Sequence, residues 1–211
     1  MDYYGCYKLV GHKHMREKTS IENLEDFAKE KGIQYYTNSS VSKNFLSPNE
    51  RYLSTKFIVY DLNQRLKNLF LVFYDSYSTK AYTSNTYCGL FKRIPKCNNE
   101  IKIIKRDWFD FLSFRKRLKT GDKYIDKHIS IYSELNAIDR SIINSKTIRE
   151  FVDINNKILA LELTTRCESM SIVPELHGKD LIALKTNAWI LENDLLMMFI
   201  EKGSNLLEDI N

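Results

Sequence analysis

Glycine and proline are scarce, with seven and three among 211 residues. That excludes collagen-like or linker-like architectures and leaves almost no material for a phosphate-cradling loop. The motifs agree: there is no GxxxxGK(S/T) and no GxGxxG. GxSxG, HExxH and the paired kinase motifs are also missing. Histidine is limited to four residues, so imidazole-based metal or triad chemistry has little to draw on, and His12 and His14 read as exposed polar residues. Four cysteines form no CxxC pair and match no zinc spacing. The longest apolar runs, LFLVFY at 69–74 and LLMMFI at 195–200, fall far short of the roughly 20 residues a bilayer span needs. No repeat and no low-complexity stretch is visible.

What is present fits an ordinary folded chain, with 43% hydrophobic, 12% aromatic and 28% charged residues. Residues 1–20 are polar and carry His12, Lys13, His14, Arg16 and Lys18, unlike a signal peptide. Cys6, Cys88, Cys97 and Cys167 are therefore expected as reduced thiols of a cytosolic protein, with Cys88 and Cys167 as small core residues. The net charge of +5 favours solubility and anionic partners without reaching the level of a nucleic-acid-binding tail. The charge is uneven. Segment 105–128 is rich in Lys and Arg, and 190–211 holds five carboxylates and one lysine. Solvated faces account for both.

Hydrophobic spacing gives the element order. Thr19-Ser20-Ile21-Glu22 reads as a capping box, followed by a helix with Ile21, Leu24, Phe27 and Ala28 inward and Gly32 as its stop. A short strand is expected at 33–36, then a polar loop from Asn38 to Pro48. Residues 53–60, 69–77 and 81–91 read as a strand meander. Glu100 to Lys105 alternates as a strand with one buried face, and 107–118 as an amphipathic helix. His128 to Tyr132 reads as a strand, and Ser145 as the cap of a helix with Ile148, Phe151 and Val152 inward. Strands are expected at 159–165, 170–173 and 181–186. A long helix from about Ala188 to Ile210 closes the chain, its inner stripe formed by Leu196, Phe199, Gly203, Leu206 and Ile210. Gly203 on that stripe marks a close approach to the sheet or a break. Hairpins dominate, so the fold class is α+β: a mostly antiparallel sheet with amphipathic helices on one face. The chain reads as a single domain, with two halves meeting near 105–125 as a variant.

Four constellations could carry chemistry. Glu100 and Lys102 share a strand face, and with Asp75 they could hold Mg²⁺ beside a phosphodiester, as a restriction-type nuclease does. E-x-K is common by chance, and a solvated strand face is the simpler account. If the strands follow in sequence order, Asp75 and Glu100 lie too far apart to share an ion. Asp122, Asp126 and His128 could ligate a divalent cation, but Asp after Gly is also an ordinary turn former, so no metal is expected there. Arg115, Lys116, Arg117 and Lys119 could contact phosphates, with Phe109 or Phe114 stacking on bases; helical spacing instead makes the aromatics a core face. Tyr74, Tyr77, Tyr82 and Tyr87 could form a sticky face for a partner or pack within a sheet.

The stretch Thr120-Gly121-Asp122 through Asp126 to Ile129, Ile131, Tyr132 and Ser133 precedes a helix at Ile148–Phe151, then strands and a long C-terminal helix. It resembles a family of bacterial proteins built on a domain of unknown function, in which a Gly-Asp-x-x-hydrophobic-Asp turn leads into a hydrophobic-x-hydrophobic-Tyr-Ser strand. The resemblance spans about 20–210 and is specific at 120–133. It implies a bacterial source and a structural role for Asp126, and brings no catalytic residues. Many family members carry transmembrane helices ahead of the soluble domain; none is seen in this sequence. The leading expectation is a non-enzymatic binding or scaffolding module without cofactor. Its partner would be a protein, in the cytoplasm or at the inner membrane face. The alternatives are a Mg²⁺-dependent nuclease using Asp75, Glu100 and Lys102, and a binder of nucleic acid or anionic lipid through 105–119.

Overall fold

A computed structural model describes residues 18–43, 51–95, 100–106, 117–133, 142–158, 160–165 and 170–210, with the side chains of 51 and 52 excepted. Helix α1 (Ser20–Glu30) opens with the expected capping box: the Thr19 side chain accepts from Glu22 N, and Glu22 reaches back to Thr19 N. Gly32 then takes φ +64° and turns the chain. Strands β1 (Gln34–Lys43), β2 (Arg51–Asp61), β3 (Leu69–Ser78) and β4 (Thr83–Arg93) form an antiparallel meander. Then follow β5 (Ile101–Lys105), helix α2 (Lys123–His128), β6 (Ile129–Ser133) and helix α3 (Ser145–Asn155). The chain continues through β7 (Glu162–Thr165), a 3-10 turn at Pro174–Leu176, β8 (Leu181–Thr186) and helix α4 (Asn193–Glu208).

All eight strands join one antiparallel sheet in the order β1-β2-β3-β4-β8-β7-β5-β6. The helices cover one face. Leu24, Phe27, Ile125, Phe151, Leu196 and Phe199 pack there on Ile58, Tyr60, Phe73, Leu90, Ile103 and Leu184. On the far face, Met170, Val173 and Leu176 cover Val59, Phe70, Val72, Phe91, Leu181 and Ala183. One row of directly opposed residues crosses the whole far face: Tyr36, Val59, Val72, Gly89, Lys185, Glu162, Ile104 and Ser130. Beyond Gly89 it carries the charged residues Lys185 and Glu162 before ending in Ile104 and Ser130. A Cβ on Gly89 would lie 2.7 Å from Lys185 Cβ, so the missing side chain lets Lys185 cross its neighbour. On the other face a Cβ on Gly203 would lie 2.4 Å from Leu90 Cδ1. Of the two readings of Gly203, the close approach of α4 to the sheet is the one found, since α4 runs unbroken through it.

Several expectations need correction. Strand β1 runs to Lys43, so Asn38 to Lys43 is strand and not loop. Serine and asparagine suggest turns, but pairing with β2 overrides that local preference. His128 ends helix α2 instead of starting a strand. The α3 cap is Asn144, whose Oδ1 accepts from Thr147 N at 2.9 Å; Ser145 is the first helical residue. Segment 170–173 is a turn leading into the 3-10 helix, because its apolar side chains cap the far face and Pro174 stops extension. Strand β7 begins at Glu162, and α4 begins at Asn193, five residues after the expected start. The helix expected over 107–118 lies outside the described residues up to 116. Leu118 is not helical but forms a bridge to Ile131.

Candidate functional site

The nuclease constellation is not brought together. Asp75 lies on the helix face in step with Leu71 and Phe73, where Lys56 Nζ approaches at 3.2 Å and Thr86 Oγ1 donates at 2.7 Å. Lys102 alternates with buried Ile101 and Ile103 and so points to the far face. Between β3 and β5 stand β4, β8 and β7, four ladder steps or roughly 19 Å. Glu100 precedes β5 and is exposed. The carboxylate beside Lys102 is Glu162, which the sequence reading had not singled out. It is also paired with Lys185 at 2.8 Å, and its side chain is only 13% exposed. Burial pushes the Glu162 carboxyl up; hydrogen bonds and charge from Lys102 and Lys185 outweigh that and hold it below its ordinary value. Cross-strand register explains the site, since Glu162 and Lys185 are directly opposed. It is a structural ion triad with both carboxylate oxygens engaged.

The acidic pair of 120–133 is likewise occupied. Asp122 caps α2, accepting from Tyr124 N at 2.8 Å, Ile125 N at 3.2 Å and Ser145 Oγ at 3.2 Å. The backbone donors of Ile125 and Tyr124 hold its carboxyl below the usual range. Asp126 sits in α2 and accepts from Thr120 N at 2.9 Å, Thr120 Oγ1 at 3.0 Å and Gly121 N at 3.3 Å. Desolvation opposes its charge, but these donors prevail and lower its pKa. His128 bonds the Tyr124 carbonyl through Nδ1 at 2.8 Å, and its ring lies 4.3 Å from the Tyr124 ring. Among the described residues no group of three or more His, Cys, Asp or Glu could hold a metal ion.

Of the basic set, Arg115 and Lys116 lie outside the described residues. Arg117 donates to the Asp126 carbonyl, as does Arg106 at 3.2 Å, and Lys119 is exposed. The tyrosines divide between faces. Tyr74 and Tyr87 stack at 5.1 Å on the far face, beside Phe91. Tyr77 is on the helix face and Tyr82 in the β3–β4 turn, 48% and 86% exposed. Cys88 is a free, fully buried thiol whose pKa burial drives upward. Cys6, Cys97 and Cys167 lie outside the described residues.

The β1 strand forms an exposed edge of the sheet. Nine of its ten residues are exposed, and its only charge is the terminal Lys43. Its backbone groups without a partner among the described residues can be assigned. Leu62 N donates to Leu69 O, while Leu69 N donates to Leu66 O, so the backbone of Leu62 is directed to β3. Alternation then directs the backbones of Tyr60, Ile58 and Lys56 to β3, and those of Asp61, Val59, Phe57 and Thr55 to β1. Gln34, Tyr36, Asn38 and Ser40 therefore bond β2, while Tyr35, Thr37, Ser39 and Val41 turn N–H and C=O outward. The opposite edge differs. Strand β6 has five residues, and Leu118 N donates to Ile131 O across it. Comparison with known protein families, with curated proteins and with solved structures finds no match to this chain. Among the described residues no helix is long and apolar enough to cross a membrane.

Proposed function

We propose that this chain is a non-enzymatic binding module that takes an extended polypeptide strand along β1. The supporting observation is the row of outward N–H and C=O groups at Tyr35, Thr37, Ser39 and Val41, on a long exposed edge with no charge before Lys43. Sheet proteins generally protect such an edge with short strands, inward charges, proline or bulges. Here β6 has a covering bridge, whereas the irregularity in β1 comes only at its end, between Ser42 and Lys43. Edge addition supplies affinity through main-chain hydrogen bonds and specificity through alternate side chains. Val41, 47% exposed, would provide such a contact on the helix face, and the exposed part of the Tyr36 ring, whose hydroxyl already donates to Ile172 O at 2.9 Å, another on the far face.

The nuclease reading has less support, because Asp75 and Lys102 lie on opposite faces and their charges are paired locally. The free thiol of Cys88 is compatible with a cytoplasmic location. Display of random peptides against the purified chain tests the proposal. Enrichment of β-prone segments is expected, with binding lost on Ser39→Pro, since proline removes one outward donor without breaking a β2 bond. Absence of enrichment, or binding indifferent to Ser39→Pro, contradicts the reading.

A further inference from the structure

We infer that the strand taken by the β1 edge is β1 of a second copy, so that two sheets join about a two-fold axis into one of sixteen strands. This rests on the edge-binding reading and names the partner. The two-fold constraint is strict. Directly opposed residues in an antiparallel pair lie on the same face, so paired positions must both be odd or both even. The outward backbone groups belong to Tyr35, Thr37, Ser39 and Val41, all odd positions on the helix face, which makes a hydrogen-bonded self-pairing geometrically available.

Exposed Val41 selects the register. Centring the axis on Asn38 sets Tyr35 against Val41 and Thr37 against Ser39, each pair occurring twice. Tyr35 then covers the 47% exposed Val41 in an aromatic–β-branched pair of the favoured kind. The four pairs make about eight main-chain hydrogen bonds, near the number in an ordinary specific interface. Nine uncharged residues from Gln34 to Ser42 bring no like charges together. Antiparallel docking also sets the helix-covered end of each β1 beside the bare end of the other. Helix α1 lies over β1 and β2 near Gln34, whereas Val41 and Tyr77 on the same face are exposed at the far end. Each α1 would thus come beside the exposed end of the other copy's β1. The helix carries Glu22, Glu25, Asp26 and Glu30; Asp26 is paired with Lys18 and Lys29 and Glu30 with Lys31, which leaves a small acidic excess opposite in sign to Lys43 of the approaching strand end. A strand from a different protein would share the backbone chemistry but would not require this symmetry.

Sedimentation velocity over a dilution series, on the native chain and three variants, decides the matter. The native chain is expected to dimerise reversibly. Ser39→Pro removes one outward donor per copy and should weaken the dimer by about tenfold or more. Asn38→Lys sets two ammoniums opposite each other at the axis and should also yield monomer. Circular dichroism that matches the native chain shows that each variant is folded, and either one suffices. Asn38→Cys provides the register test. At a non-hydrogen-bonded pair the Cα atoms lie about 4.5 Å apart, within disulfide range, so mild oxidation should give a linked dimer absent from the native chain. A native chain that stays monomeric at the highest attainable concentration overturns the inference. So does a dimer insensitive to both Ser39→Pro and Asn38→Lys. A monomer that still binds displayed peptides in a Ser39-dependent way overturns the dimer alone and leaves edge binding intact.

Discussion

At the residue scale, Gly203 and Glu162 show two ways in which a side chain is dictated by its neighbours. Gly203 lies on the buried stripe of α4, where Ala would ordinarily stabilise a helix by about 1 kcal/mol. A Cβ there would lie 2.4 Å from Leu90 Cδ1 and 3.1 Å from Leu184 Cδ2, and both side chains are fully buried, so their ends have little room to shift. Gly203→Ala should destabilise the fold, since overpacking costs about 1–3 kcal/mol, read as a lower urea midpoint. This was legible in the sequence because the glycine interrupts an otherwise apolar stripe. Glu162 was not legible, since its significance depends on β8 and β5 flanking β7. Its carboxyl is held low in the folded state, so its stabilisation is present above the unfolded value of about 4.3 and disappears as pH falls through the folded value. Glu162→Gln should cost about 1–3 kcal/mol at neutral pH, between the ranges for exposed and buried pairs. The gap to the native chain should close in acid. Urea midpoints measured from pH 7 to pH 3 check this, and a gap that stays constant refutes the ion triad.

At the element scale, the helices with a cap or a long apolar stripe were easier to read than edges, whereas the short α2 was not legible in the sequence. The α1 capping box and the stripes of α3 and α4 are local signals, complete within a dozen residues. The polar length of β1 is not a local signal: Asn38, Ser39, Ser40 and Ser42 form strand because β2 supplies their partners. Segment 170–176 fails in the opposite direction, with strand-like composition used to plug a face. The 120–133 region shows how a recognisable turn acquires its purpose. Asp122 starts α2, and Asp126 gathers three donors from the Thr120–Gly121 approach. Removing this charged acceptor by Asp126→Ala should cost about 1–3 kcal/mol, and Asp126→Asn less. Thermal melts in a chelating buffer check both. Stoichiometric metal lost in the alanine variant would instead make Asp126 a ligand.

At the scale of the whole molecule, alternating hydrophobicity was enough to read an antiparallel α+β fold with a C-terminal helix, but not the order of its strands. The meander is local. The insertion of β8 between β4 and β7 is not, because β8 follows β7 in the chain yet joins the two halves of the sheet. That joining separates Asp75 from Lys102 and brings Glu162 between two lysines. It also leaves β1 and β6 as the edges, one long and open, the other short and bridged. The central claim is that the open edge is used and that a second copy of the chain fills it. Residue-resolved hydrogen exchange at increasing protein concentration tests it most directly. Slowed exchange is predicted at the amides of Tyr35, Thr37, Ser39 and Val41, with Tyr36, Asn38 and Ser40 already protected by β2. Exchange at the four outward amides that does not change with concentration would contradict the account.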